Sequence, residues 1–225
     1  MRLLFRLTKR HPSAILLLVQ VLGVLLYPFI ENTQSGHAGL NAFGIIVLSM
    51  TVRTVRRTPG PTWISVSLAV PVIVLLVLQT TFDLPQLLPW SSGLEAVFYF
   101  YAAGSLIAYM MDDYKTTTDE LYAAAATFTL LVWGFTYLFV MTQALQPTAF
   151  SENGTLRTWS ELNHLSFALL SSTGMGNVVA ASAHARSIAS IEMMIGLMYL
   201  AAVVARLIGF TTRPIKQSDK KADKT

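Results

Sequence analysis

Residues 158–177 read TWSELNHLSFALLSSTGMGN. Thr158 and Glu161 form an S/T-x-x-E capping box ahead of the apolar run Leu162 to Ser171, so a helix of about three turns is expected there. It is too short to cross a hydrocarbon core of roughly 30 Å, which needs about 20 helical residues. An apolar helix of this length between two longer spans reads as re-entrant, entering the membrane from one side and stopping partway. The stretch after it, Ser171 to Asn177, is polar and twice marked by glycine. Irregular backbone at membrane depth is tolerated only where it is buried in protein or lines a water-filled path. Gly174 and Gly176 can take positive φ at no steric cost, and alternating hand turns successive carbonyls toward one side. Four copies around an axis would then stack rings of oxygen able to replace a cation's water shell. The short helix would aim the negative, C-terminal end of its dipole at the inner end of that path.

Working outward, six stretches meet or approach the length of a span: Ser13 to Ile30, Ala38 to Val52, Trp63 to Phe82 with a kink expected at Pro71, about Ser92 to Met111, Tyr122 to Leu145, and Ser187 to Phe210. The first is too long, and starts too late, for a cleaved signal peptide. The second is the shortest and carries Asn41 and Ser49, so it needs tilt or snorkelling by Arg53. Basic residues set the orientation. Arg2 to Arg10, Arg53 to Arg57, Lys115 and the cluster from Arg206 to Lys224 share one side of a six-span chain. Of sixteen Lys and Arg, only Arg157 and Arg186 fall on the other. The positive-inside rule then places both termini in the cytoplasm, in a cell (inner) membrane.

The 225 residues are 53% hydrophobic and 12% charged, with mean hydropathy +0.54, which separates the chain from soluble domains. No cysteine is present, which excludes thiolate metal sites, disulfides and a Cys nucleophile. The four histidines, His11, His37, His164 and His184, lie in separate stretches without metal-ligand spacing. Neither a nucleophile elbow nor a glycine-rich phosphate loop occurs, so the expectation is a non-enzyme without a cofactor. The net charge of +4 is a topology signal and calls for no nucleic-acid partner.

The strip resembles the selectivity filter of potassium channels, T-T-V-G-Y-G-D, aligned with Ser171, Ser172, Thr173, Gly174, Met175, Gly176 and Asn177. Ala185, Arg186, Ser187, Glu192, Gly196, Tyr199, Leu200, Ala201, Ala205, Arg206 and Leu207 are similar to the last helix of small bacterial two-transmembrane-type members of that group. The resemblance covers about Asp119 to Gly209. It implies a homotetrameric pore in a lipid bilayer, with K⁺, or another monovalent cation such as Na⁺, passing the carbonyls of Ser172, Thr173, Gly174 and Met175. Several positions depart from the pattern. Thr173 replaces an apolar residue, Met175 an aromatic whose hydroxyl holds the filter at fixed diameter, and Asn177 an acid at the outer mouth. Ala168 stands where several relatives carry a bracing acid. A thioether cannot make the phenol's hydrogen bond. A weakly selective cation channel therefore stands beside the K⁺ reading, as does a non-conducting assembly or sensory protein that keeps the scaffold.

The fold class expected is thus an all-α membrane protein of six transmembrane helices, with a pore helix and filter between the fifth and sixth. Its parts are a four-helix region over 1–112, a pore domain over 113–210 and a basic tail over 211–225. Span four lacks Lys and Arg, so no voltage sensor is expected; Arg53, Arg56 and Arg57 read as topology anchors. Glu192 reads either as a brace behind the filter, through His164 or a pore-helix hydroxyl, or as a structural acid. His184 reads as a solvated loop histidine or as a group tuning cation entry at the outer mouth. Gly196 reads as an inner-helix hinge or as a close-packing position, and Tyr199, Val203 and Leu207 as a hydrophobic constriction. Asp112, Asp113, Asp119 and Glu120 precede or open span five, where Thr117 and Glu120 fit a second capping box. Trp63, Trp90 and Trp159 read as interfacial anchors.

Overall fold

The structure is a computed structural model, and it describes residues 12–31, 44, 47–53, 62–82, 84–111, 118–151 and 153–211. These form helices α1 (Pro12–Glu31), α2 (Thr62–Phe82), α3 (Leu88–Met111), α4 (Thr118–Leu145), α5 (Trp159–Leu170) and α6 (Ala183–Thr211), with 3-10 turns at Pro85–Leu87 and Pro147–Ala149. Residues 47–53 are also helical, and there is no strand among the described residues. Three helices are long and apolar enough to cross a membrane, Pro85–Met111, Thr118–Leu145 and Ala183–Arg206, the character of a membrane protein. The apolar runs Ser13–Tyr27 and Trp63–Gln79 are shorter. Outside the described residues lie most of the expected second span, the basic residues Arg2 to Arg10, Arg56, Arg57, Lys115 and Arg213 to Lys224, the acids Asp112 and Asp113, and His11, His37 and Thr117.

Local chemistry explains where the helices begin. Pro12 opens α1, and Pro89 sits in the first turn of α3, where its missing N–H costs nothing. The Pro85–Leu87 turn feeds directly into α3, which therefore starts four residues ahead of the expected Ser92. Pro71 lies inside α2, which continues past it to Phe82.

α4 is the axis of packing: 61% of its apolar window is buried, against 22% for α6. Leu130, Leu131, Val132, Trp133 and Phe135 are all buried, as are Phe98, Tyr99, Ala102, Ala103 and Leu106 of α3. α3 and α4 approach closely at Gly134, where a Cβ would lie 2.8 Å from the Phe100 ring. A small residue at such a crossing lets the neighbouring ring pack onto the helix backbone, in a medium that gives no hydrophobic drive between helices.

The contacts fix the helix directions. Ser13 of α1 meets Asp119 at the start of α4, its amide donating at 3.2 Å and its hydroxyl at 2.9 Å. At the far end of α1, Tyr27 stacks on Trp159 at 4.2 Å, and that ring meets Trp133 and Tyr137 of α4. α1 and α4 therefore run parallel. α3 runs against α4: Tyr99 stacks on Tyr137 at 5.6 Å, while Met110 lies with Glu120 and Ala124 around a common cavity. The turn between α2 and α3, with Gln79 Nε2 donating to Ser91 Oγ at 2.8 Å, makes these two an antiparallel hairpin. α6 also runs against α4, with Tyr199 donating to the Ala124 carbonyl at 2.5 Å and Arg206 paired with Glu120 at 2.6 Å.

Candidate functional site

The short helix α5 starts where the capping box places it. Thr158 Oγ1 accepts from the Glu161 amide at 3.3 Å, and the Thr158 amide donates to Glu161 Oε2 at 2.9 Å. Glu161 also pairs with Arg157 at 3.2 Å. Gln143 of α4 clamps the segment just before the cap: its Oε1 accepts from the Arg157 amide at 2.8 Å and its Nε2 donates to the Arg157 carbonyl at 2.9 Å. Two orphan amides of the helix start and the preceding strand of chain are thereby satisfied.

Polar side chains then seat α5 on its neighbours. Thr136 of α4 donates to Asn163 Oδ1 at 3.2 Å. Ser166 is fully buried and its hydroxyl lies 2.9 Å from the Val132 carbonyl of α4 and in hydrogen-bond contact with Glu192 Oε1 of α6. One serine thus ties three helices, and Glu192 is a fully buried acid facing the Ser166 hydroxyl. His164 is not its partner; that imidazole is exposed and lies beside Gly176, with Cδ2 3.7 Å from where a Cβ would stand. Leu162 and Leu165 complete the seat with Phe139, Phe150, Val178 and Ala189.

The end of α5 folds back on itself. The Ser171, Ser172, Thr173 and Gly174 amides donate to Phe167, Leu169, Ala168 and again Ala168 carbonyls, at 3.0 to 3.2 Å. φ is positive at every second residue of the strip: +57° at Ser172, +64° at Gly174 and +155° at Gly176. Ser172 is the only non-glycine with positive φ among the described residues. Ser172, Thr173, Gly174, Met175, Gly176 and Asn177 are all exposed, Met175 at 70%. Among the described residues, no backbone or side-chain donor reaches the carbonyls of Ser172 to Gly176. The chain then returns to α6 through Ala181 and Ser182, whose amides donate to the Ala149 carbonyl, and Ser182 Oγ caps the new helix at Ala185.

Gly196 lies directly beneath the strip's origin. A Cβ there would stand 2.0 Å from the Leu170 carbonyl oxygen, so α6 passes the last residue of α5 at backbone contact. An open, largely apolar recess of about 380 Å³ runs along the strip, walled by Leu165, Leu169, Met175, Val179 and Met193, with Arg186 at its rim.

The site residues expected from sequence are distributed along α5, the strip that follows it and the facing part of α6. Ser172 to Asn177 form the exposed strip, Thr158 and Glu161 close the cap, and Gly196 and Glu192 support the strip from α6. Trp63 and Trp90 are exposed, whereas Trp159 is drawn into an aromatic cluster with Tyr27, Trp133 and Tyr137. His184 is exposed at the start of α6. No group of three potential metal-ligating side chains occurs among the described residues. Sequence reading passed over Asn163, Ser166 and Gln143; the polar i, i+3 pair Asn163 and Ser166 on an apolar helix was the available signal. It also passed over Glu95, a buried acid of α3 beside Tyr99 and Tyr137. No family model, curated protein or solved structure matches the chain.

Proposed function

We propose that the chain is one subunit of a homotetrameric cation channel of the potassium-channel type, in which Ser172 to Gly176 form the filter and α5 is the pore helix. The observation that carries this reading is the strip itself. Five successive carbonyls that no donor among the described residues reaches, and positive φ at alternate residues, stand at the end of a capped apolar helix in a membrane protein. Backbone of this kind is costly facing lipid, and the cost disappears where copies converge and the carbonyls face cations. The low burial of α6 fits the same assembly, since its uncovered face has room for neighbouring copies.

The helix directions support six spans. α1 and α2 run in the direction of α4, so the chain has to cross back between α1 and α2, and residues 47–53 are helical with Val47, Leu48 and Thr51 buried. In this reading 1–112 is a peripheral region, 113–210 the pore domain and 211–225 a cytoplasmic tail. Permeation is passive: a cation exchanges water for carbonyls at successive sites and leaves under repulsion from the ion behind it. The outer mouth is Asn177, and Glu192 acts through Ser166 to hold α5 in place.

Poor discrimination between K⁺ and Na⁺ is the reading favoured by Met175. Its exposed thioether offers no donor to fix the strip's diameter. The test is cation flux and bi-ionic reversal potential for the purified chain in liposomes, with the oligomer checked by native mass. A tetramer that conducts, with a reversal potential near zero, is expected for the unaltered strip. Met175→Tyr with Asn177→Asp should then shift the reversal potential toward that of K⁺. Absence of flux from verified tetramers would replace the channel with an assembly or sensory role.

A further inference from the structure

The inner end of α6 is attached differently from the rest of the helix. Gly196 is pressed against the Leu170 carbonyl, and Glu192, four residues earlier, is locked to Ser166, so the upper half of α6 cannot move without moving α5. Below Gly196 the buried Tyr199 ring packs beside Phe128, and two polar links join α6 to α4. Tyr199 donates to the Ala124 carbonyl at 2.5 Å, and Arg206 meets Glu120 Oε2 through Nη2 at 2.6 Å and Nε at 3.2 Å. Between them apolar packing is incomplete. A half-open cavity of about 50 Å³ lies between α6 and the α3–α4 pair, lined by Ile107, Met110, Leu121, Ala124 and Val203 together with Glu120 and Arg206. The pair is largely shielded, with side chains 7% and 21% exposed.

We propose that the Glu120–Arg206 ion pair is a releasable latch that holds the inner end of α6 against α4, the segment below Tyr199 being the part that swings when it lets go. This rests on the channel reading, in which that segment narrows the inner end of the pore. A void cannot hold a helix in place, because its lining has no partner atoms on one side. Two charges close together in a poorly hydrated site can, and they let go when either is neutralised or drawn elsewhere. The neighbouring acid gives the latch its handle. Asp119 binds the first turn of α1 through Ser13, so consecutive residues of one α4 turn grip a peripheral helix and the inner helix. Displacement of α1 is thereby delivered to the residue beside the latch.

The experiment uses the full chain in liposomes and exploits its lack of cysteine. Spin labels at Tyr122→Cys and Val204→Cys, both exposed positions, report the α4–α6 separation when labelled chain is diluted with unlabelled. Arg206→Glu and Glu120→Arg should each lengthen or broaden that distance and raise cation flux by about threefold or more. Combining both substitutions should return distance and flux to within about twofold of the starting protein, the size of effect expected of a coupling between two groups. Glu120→Gln and Arg206→Gln break the pair without placing like charges together, and serve where a reversed charge blocks folding. Unchanged distances in folded variants would overturn the latch, as would a combined variant that remains as open as its parents. A distance that responds in protein without flux would keep the latch and remove the channel, whereas flux with an immobile α6 would do the reverse.

Discussion

Gly196 has no room for a side chain. The carbonyl oxygen of Leu170 occupies the place of its Cβ at 2.0 Å, and a backbone oxygen at a helix end cannot step aside as a flexible side chain would. Gly196→Ala should therefore cost about 1–3 kcal/mol or more and tilt the end of α5, lowering the thermal midpoint and, in the proposed channel, disturbing flux with it. An alanine variant with unchanged melting and flux would show that α6 and α5 are farther apart than this. From sequence, a glycine in mid-helix supported both a hinge and a close approach, because the residue opposite is invisible until the chain is folded. Ser172 was hidden in a different way. Gly174 and Gly176 advertise positive φ, but a serine at +57° sits where non-glycine residues rarely go, and only the folded turn over the Ala168 and Leu169 carbonyls explains it. Glu95 was missed because a voltage sensor is sought through Lys and Arg, and an acid among tyrosines leaves no periodic trace.

α5 was the most legible element, since its start is written in four consecutive residues and its end in two glycines. Both hydrogen bonds of the capping box are made, and the helix opens one residue after Thr158. Such signals are local and need no knowledge of the rest of the fold. Which face of α5 meets α4 was not legible, because it depends on Thr136 and Val132, more than twenty residues upstream. Thr158→Ala removes the acceptor for the Glu161 amide and should cost about 1 kcal/mol. The loss is expected to be confined: amide exchange in Trp159 to Leu165 should quicken several-fold while α3 and the middle of α4 keep their protection. Uniform loss of protection across all helices would mean that α5 unfolds only with the whole molecule, contrary to a separately capped element.

At the scale of the whole chain, direction carries more information than hydropathy. Composition made Ala38 to Val52 the weakest span, and the three helices with clear spanning character do not by themselves decide how many crossings there are. Contacts near the two ends of α4 add the direction of the shorter apolar helices. Ser13 at Asp119 and Tyr27 at Trp159 orient α1, the Pro85–Leu87 turn orients α2 through α3, and both run with α4. In the six-span reading, where α1 and α2 both cross the bilayer, their common direction calls for one more crossing between them. Single cysteines at exposed positions test this directly in intact vesicles with a membrane-impermeant maleimide. Phe29→Cys, Leu84→Cys and Asn153→Cys should label from one side, and Trp63→Cys and Tyr122→Cys only from the other. Labelling of Phe29→Cys and Trp63→Cys from the same side would remove the intervening crossing. It would also leave the Arg53 to Arg57 cluster opposite the other basic residues, against the charge asymmetry that orients the remaining helices.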